Sequence, residues 1–194
     1  MARSRMKCFL AATLDSGVNK RLTAEVGFLQ LAGADIRWVP ESNRQIVLRF
    51  IGELESEDIM PVVEATARAV EGIPVCKPVI SRLISFPPWS PETPPRVIAA
   101  SVTGDVEPLD VLYNALQDEL ADVGFRREKK GYSPHVTLGR VRAHRCMDEL
   151  LDRLERAHRR EFGATAINKI QLMMSTKGER GPEYTIMNEF PLGG

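Results

Sequence analysis

The hydrophobic and polar positions of this chain predict the same order of elements twice, strand–helix–strand–helix–strand in each half. Apolar residues at helical spacing, such as Val18, Leu22, Val26 and Leu29, indicate amphipathic helices, and short apolar runs between them indicate strands. The predicted strands cover 6–13, 36–39, 44–51, 75–85, 96–102, 132–141, 165–175 and 183–190, and the predicted helices cover 16–31, 58–70, 109–123 and 147–162.

The two halves of this pattern have the same step lengths. Successive strands are separated by 36 and then 34 residues in each half, so that equivalent positions such as Gln45 and His135 lie 90 apart. We therefore predict a single α+β domain with two pseudo-symmetric lobes, each an antiparallel sheet with outer helices, and a cleft between them. The half-repeats run from about 6 to 85 and from about 96 to 175, with a proline-rich connector at 86–95 and a closing strand at 183–190. The alternative is chance agreement of a few approximate boundaries.

The chain of 194 residues has 26 basic and 26 acidic side chains, and thus no formal net charge. This balance argues against capture of duplex DNA or of an anionic membrane by bulk charge, but it permits a locally basic cleft. Three scattered cysteines without C-x-x-C spacing fit a reducing compartment, and no apolar run is long enough to span a membrane. We expect a cytoplasmic, monomeric protein. We expect no metal site, because the three histidines lack zinc-ligand spacing.

The most informative segment is 132–140, which predicts a strand with His135 and Thr137 two positions apart. Alternation puts both side chains on one face of that strand. A histidine can act as a general acid or base near neutral pH, and a threonine hydroxyl can donate a hydrogen bond to a phosphoryl oxygen. Arg140 is a candidate phosphate contact, although strict alternation turns it away from that face unless the strand bends. In isolation, a motif this short more often contains a structural histidine.

The chain as a whole resembles the two-histidine (2H) phosphoesterases, specifically the bacterial and archaeal RNA 2′,3′-cyclic phosphodiesterases, which are also named 2′-5′ RNA ligases. The resemblance runs almost from end to end and is carried by 8–12, 36–40, 43–53, 96–98, 132–141, 174–175, Tyr184 and 190–192. The family pattern has two H-x-[ST] tripeptides, one per lobe, that face each other across a cleft. It implies that a terminal 2′,3′-cyclic phosphate of RNA is bound between them and hydrolysed to a 2′-phosphate without a metal or organic cofactor.

The second family motif is present as His135 and Thr137, but the first is not. Gln45 stands where the family has histidine, and Val47 stands where it has threonine or serine. A glutamine does not exchange protons at ordinary pH, and loss of one acid–base group typically slows a reaction about a hundred- to ten-thousand-fold. The resemblance therefore implies a cyclic phosphodiesterase of reduced activity, acting on RNA 3′ ends or nucleoside cyclic phosphates. The alternative is a non-catalytic protein that binds RNA ends or nucleotides.

Two further residues are candidate substrate contacts. Alternation along the predicted strand 44–51 directs Arg49 into the cleft beside Gln45 and directs Phe50 into the core. Arg49 suits the geometry of a phosphate, and a solvated or ion-paired strand arginine is the equally weighted alternative. Tyr132 is placed to stack on an unpaired terminal base of RNA, with a position at the edge of the core as the alternative.

Overall fold

The computed structural model describes residues 5–90, 92–179 and 181–194, and its secondary structure confirms the predicted α+β class. The described residues form nine strands and four α-helices. In chain order these elements are β1 (Met6–Thr13), α1 (Ser16–Gln30), β2 (Asp35–Trp38), β3 (Gln45–Leu54), α2 (Ile59–Ala69), β4 (Val79–Phe86), β5 (Val97–Thr103), α3 (Glu107–Asp122), β6 (His135–Ala143), α4 (Met147–Arg156), β7 (Glu161–Ala164), β8 (Lys169–Gly178) and β9 (Gly181–Pro191).

The strands form one antiparallel sheet in the order β7–β4–β5–β6–β3–β1–β8–β9, with β2 added to β6. This order divides into two half-sheets, because β3 and β6 are joined at one residue pair, Ile46 with Val136. These two residues are 90 positions apart, which is the offset of the sequence repeat. A pseudo-twofold axis therefore passes through this pair, in agreement with the predicted two-lobed arrangement.

The half-sheets exchange strands between the two halves of the sequence. Strand β4, from the first half, pairs with β5 of the second half. Strand β8, from the second half, pairs with β1 of the first half. Each half-sheet thus contains strands from both sequence halves, so neither half of the chain completes its sheet alone.

The helices cover one face of the sheet, and the other face stays open. Leu10 of β1 belongs to the main core together with helix residues such as Leu22 and Leu116, whereas its neighbours Phe9 and Ala11 turn to the opposite face. The predicted core positions of the first helix are all buried: Val18, Leu22, Val26 and Leu29. The helices are therefore on the outside, as predicted, and the open face of the sheet is the floor of the cleft.

The last helix is shorter than the sequence predicts. Helix α4 ends at Arg156 rather than at 162, and Glu161–Ala164 forms β7, which pairs with β4. Gly163 has a φ of +109°, a backbone conformation that an α-helix does not contain. Phe162 is buried in the main core when the chain adopts this strand. Burial of this aromatic ring and pairing with β4 outweigh the helical pattern of the preceding residues.

Candidate active site

The open face of the sheet contains a cavity of about 710 Å³ that takes residues from both half-sheets. Its wall includes Gln45 and Val47 of β3 and His135 and Thr137 of β6. The antiparallel register of β3 and β6 sets Gln45 across from Thr137 and Val47 across from His135. The structure thus brings the four motif positions together in one cavity, on either side of the pseudo-twofold axis.

The imidazole of His135 is held in a defined orientation. Its Nδ1 lies 2.7 Å from the carbonyl oxygen of Ser133, and its ring lies against Phe86 with 4.8 Å between centroids. Because a carbonyl oxygen only accepts hydrogen bonds, Nδ1 carries a proton and donates it to this contact. In the neutral ring, Nε2 then carries the lone pair and can accept a proton. Nε2 is thus the ring atom that can exchange a proton with a ligand in the cavity.

The side chain of Gln45 is nearly buried, with 7% of its surface exposed, and it lines the cavity. Within residues 5–90, 92–179 and 181–194, its carboxamide makes no hydrogen bond to another residue. Its two N–H groups and its oxygen are therefore available to a ligand in the cavity.

A β-bulge in β3 overturns two predictions about side-chain direction. Leu10 pairs with Arg49, but the next residue, Ala11, pairs with Val47, so one extra residue is inserted in β3. Arg49 consequently turns to the helix side, where it is 4% exposed and forms a 3.0 Å ion pair with Glu128. It also donates a hydrogen bond to the carbonyl of residue 126. The expectation that Arg49 faces the cleft is wrong, and its ion-paired alternative is what the structure contains.

The same bulge turns Phe50 into the cavity, although alternation predicts it in the core. Phe50 pairs with Phe9, has 57% of its surface exposed and lines the cavity wall. An equivalent bulge in β6 lies between Thr137 and Gly139, and it turns Arg140 into the cavity, which is the bend that its proposed role requires. Phe50 and Arg140 are 90 positions apart. The repeat offset was therefore the sequence signal that could have placed Phe50 in the site.

Tyr132 lies at the edge of the core and also borders the cavity, so it has features of both predicted positions. Its ring stacks on that of Tyr113 with 4.6 Å between centroids and an interplanar angle of 10°, and it also contributes to the cavity wall. Burial raises the pKa of the Tyr132 hydroxyl well above its usual value. No described residue forms a hydrogen bond with this hydroxyl. One face of the ring is already covered by Tyr113, so stacking on a base could use only the other face.

The cavity is locally basic although the chain has no net charge. Its basic lining residues are Lys7, Arg37, Lys130 and Arg140. Its two acidic lining residues, Glu53 and Glu128, are each ion-paired with an arginine outside the lining. Aromatic rings make up much of the remaining wall: Phe9, Trp38, Phe50, Phe86, Tyr113, Tyr132 and Tyr184. Cationic groups interleaved with aromatic rings are typical of surfaces that bind single-stranded nucleic acid.

Among the described residues, no group of three or more His, Cys, Asp and Glu side chains is arranged to hold a metal ion. The helices of the described chain are too short or too polar for any of them to cross a membrane. The expectation of metal-independent chemistry stays a prediction.

Gly139→Ala is expected to destabilise the protein by about 1–3 kcal/mol, because overpacking at close contacts costs this much. A Cβ at this position would lie 2.6 Å from Cγ2 of Ile36 and 3.0 Å from Cε3 of Trp38, both on β2. Gly27→Ala in α1 is the matched control, since its new Cβ meets no atom within 4 Å. We expect the free energy of unfolding of the control to stay unchanged or to rise by up to about 1 kcal/mol. Equal unfolding free energies for the two variants in urea would contradict the close approach of β2 to β6.

Comparison with known proteins agrees with this geometry. A family model described as the 2′-5′ RNA ligase superfamily matches residues 47–179. The chain belongs to this superfamily. An RNA 2′,3′-cyclic phosphodiesterase of Methanothermobacter thermautotrophicus is 30% identical over 193 residues, covering 97% of this chain and 100% of the relative. An RNA 2′,3′-cyclic phosphodiesterase of Thermotoga maritima is 27% identical over 187 residues, covering 95% of this chain and 94% of the relative. Membership of the 2′-5′ RNA ligase superfamily confirms the 2H phosphoesterase family predicted from the sequence.

Solved structures show the same fold. The protein TT0787 of Thermus thermophilus aligns with a TM-score of 0.81 at 21% identity, covering 97% of this chain and 99% of that chain. The E. coli LigT structure in complex with 3′-AMP aligns with a TM-score of 0.76 at 17% identity, covering 98% and 100%. At these identities the likeness shows the fold alone. The superfamily consists of phosphoesterases, and Gln45 and Val47 of this member line the cavity.

Proposed function

We propose that this chain binds RNA 3′ ends or nucleoside cyclic phosphates in the cavity, and hydrolyses terminal 2′,3′-cyclic phosphates to 2′-phosphates at a reduced rate. The observation that carries the proposal is the oriented imidazole of His135 beside Thr137. The relatives named above, both RNA 2′,3′-cyclic phosphodiesterases, support the substrate class. The complex of E. coli LigT with 3′-AMP supports a nucleotide as the ligand.

The proposed reaction uses neutral His135 as the general base. A water molecule attacks phosphorus while Nε2 takes one of its protons, and the bond between phosphorus and O3′ breaks. The Thr137 hydroxyl and the Gln45 side-chain N–H donate hydrogen bonds to the nonbridging oxygens, where negative charge develops. The 3′ oxygen leaves with the electron pair of the broken bond and needs a proton. Gln45 cannot supply one, so the proton comes from solvent, and this step limits the rate.

A non-catalytic binding role is the second candidate, and the unpartnered amide of Gln45 favours it. Gln45 and Thr137 together offer N–H and O–H donors to a phosphate without any transfer of a proton. Val47 removes one hydroxyl contact from the same half of the site. Arg49 takes part in neither version, because its side chain is buried outside the cavity wall and its guanidinium is paired with Glu128.

We propose that the whole chain acts as one bilobal domain, since the cavity takes residues from both halves of the sequence. A cavity formed by one chain is consistent with a monomer, and the cysteine pattern is consistent with the cytoplasm. The absence of net charge supports a single-stranded RNA end rather than duplex DNA as the partner.

Incubation of the intact protein with a nucleoside 2′,3′-cyclic phosphate tests the proposal. We expect the 2′-monophosphate to form slowly and without the 3′ isomer. Chromatography or phosphorus NMR measures this product. Titration calorimetry with the corresponding nucleoside 2′- and 3′-monophosphates measures the binding affinity independently of turnover. Measurable binding without product supports the second candidate. If the protein neither binds these nucleotides nor forms product, both candidate functions are overturned.

A further inference from the structure

The loop between α3 and β6 is not held in place by strand pairing. Its residues 125–134, called here the α3–β6 loop, are all described by the structure and form neither helix nor strand. The equivalent segment of the first half, 90 positions earlier, begins with β2, whose backbone pairs with β6. The α3–β6 loop nevertheless forms part of the cavity wall and leads directly into His135. Its position therefore depends on the side chains that contact it.

Arg49 of β3 holds the middle of the α3–β6 loop. Its side chain is 4% exposed, and its guanidinium forms the 3.0 Å ion pair with Glu128 and the hydrogen bond to the carbonyl of residue 126. Within the described residues, both of these partners come from the loop. A buried guanidinium that lost them would be left with an uncompensated charge, which is strongly destabilising. Arg49 therefore favours the loop in this one position.

Two nearly buried side chains of α3 hold the same part of the loop. The Tyr113 hydroxyl lies 3.3 Å from Oε2 of Glu128 and 3.1 Å from the carbonyl oxygen of residue 130, and it can donate to either. The side-chain oxygen of Gln117 accepts a hydrogen bond of 2.9 Å from the backbone N–H of Glu128. Glu128 is thus bound at both carboxylate oxygens and at its backbone.

The loop in turn orients His135. The contacts with Arg49, Tyr113 and Gln117 recur at alternate positions of the loop, 126, 128, 130 and 132, directly before Ser133. The carbonyl oxygen of Ser133 accepts the proton of Nδ1 of His135. In a neutral histidine, the hydrogen bond that one ring nitrogen makes decides which nitrogen carries the proton. If the Ser133 carbonyl moved away, the proton could shift to Nε2, which could then no longer accept one.

We propose that Arg49 is a positioning residue for His135. Through its ion pair with Glu128 it fixes the α3–β6 loop, so that the Ser133 carbonyl keeps the ring proton on Nδ1 and leaves Nε2 free for the reaction. Arg49 touches no ligand itself, because its side chain lies outside the cavity wall. The expected effect on turnover rests on the proposed function, whereas the expected effect on the ring proton does not.

The test removes the ion pair without changing the net charge. Arg49→Met combined with Glu128→Gln neutralises both partners, so that no unpaired charge stays buried. Arg68→Met combined with Glu119→Gln is the matched control. That ion pair has an Nε–Oε2 distance of 2.6 Å and also ends on α3, but neither of its residues contributes to the cavity wall. Thermal unfolding shows whether both double variants fold.

The first measurement is the NMR chemical shifts of the imidazole nitrogens at a pH of about 8.5, where an ordinary histidine is neutral. In the unmodified chain and in the control, we expect His135 to show a ring protonated at Nδ1. In the Arg49/Glu128 double variant, we expect its shifts to move toward those of the exposed His158 in the same spectrum. The signals that disappear in His135→Gln identify those of His135.

The second measurement is the hydrolysis of a nucleoside 2′,3′-cyclic phosphate. In the Arg49/Glu128 double variant we expect kcat to fall about ten-fold with KM unchanged, because a catalytic group is misplaced while binding contacts remain. The control should keep both values. Tyr113→Phe is a milder variant for the case that the double variant does not fold. It removes the hydroxyl contacts with the loop but keeps the stacked ring, and we expect the same change of the His135 shifts, smaller in extent.

The outcomes separate this inference from the proposed function. Unchanged His135 shifts in the folded double variant, or in Tyr113→Phe if the double variant does not fold, would overturn the inference. Equal shifts in the control would also overturn it, because a general loosening of α3 would then explain them. If the shifts move but kcat does not, the reaction does not need the oriented ring, and the positioning role is wrong. If no form of the chain binds or hydrolyses a nucleotide, the proposed function fails, and the ring shifts alone decide the inference.

Discussion

Gln45→His combined with Val47→Thr is expected to raise the hydrolysis of a nucleoside 2′,3′-cyclic phosphate by at least about ten-fold, which is about 1.4 kcal/mol of barrier. The histidine restores a proton donor for the leaving 3′ oxygen on the strand that faces His135. The threonine restores a hydroxyl for a nonbridging oxygen. Since a positioned acid–base group contributes about a hundred- to ten-thousand-fold, ten-fold is the lower bound for a cleft that is otherwise competent.

The scaffold should accept both substitutions. The two positions lie in β3 opposite Thr13 and Ala11 of β1, and both side chains reach the cavity rather than the core. A threonine at position 47 has nearly the shape of the valine, and its hydroxyl would meet the cavity, so it would not become a buried polar group without a partner. The free energy of unfolding of the double variant should therefore stay within about 1 kcal/mol of the original.

Gln45→Asn combined with Val47→Thr is the matched control. It restores the hydroxyl and keeps an amide, but it adds no group that titrates. We expect its rate to stay well below that of the histidine variant. An unchanged rate in the well-folded histidine variant would show that the cleft has diverged at more than these two positions.

The pseudo-symmetry of the site could be predicted from the sequence because it is a matter of spacing. Equal steps between strands in the two halves fix an offset of 90, and the structure joins its half-sheets at Ile46 and Val136, which have that offset. The period-two rule then places Gln45 and His135 on the same face of the sheet. Local patterns and a constant offset are sufficient for this much of the site.

Side-chain direction beyond the motifs could not be predicted, because one inserted residue reverses every later position. The bulges in β3 and β6 turn Phe50 and Arg140 into the cavity and remove Arg49 from it. A bulge has no fixed sequence signature at these positions, so strict alternation gives the wrong face. The ion pair between Arg49 and Glu128 is also a long-range contact that no local pattern contains.

The exchange of β4 and β8 between half-sheets was likewise beyond the sequence pattern. Spacing predicts which segments are strands, but pairing depends on contacts between distant segments. Strand β7 also depends on a distant contact. Its first residues continue a helical sequence pattern, but it forms a strand because it pairs with β4 and buries Phe162. These elements nevertheless shape the site, because β8 and β1 together support the strand that contains Gln45.

His135→Ala is expected to abolish the residual hydrolysis, with a loss of about a hundred- to ten-thousand-fold relative to the unmodified chain. Among the described residues, His135 is the only imidazole in the cavity wall, and its Nδ1 contact with the Ser133 carbonyl leaves Nε2 for the proton transfer of the proposed reaction. His158→Ala is the matched control. That histidine is exposed and outside the cavity wall, and its removal should leave turnover unchanged.

His135→Gln separates proton transfer from binding. It leaves an amide on each side of the axis, so that hydrogen bonds to a phosphate remain possible while no group of either motif exchanges protons. We expect a nucleoside monophosphate to bind to this variant within about ten-fold of its original affinity, and product formation to fall as far as in His135→Ala. Hydrolysis that persists in both variants would place the chemistry on other residues. If both binding and turnover are lost, the main contribution of His135 is to bind the ligand and not to transfer a proton.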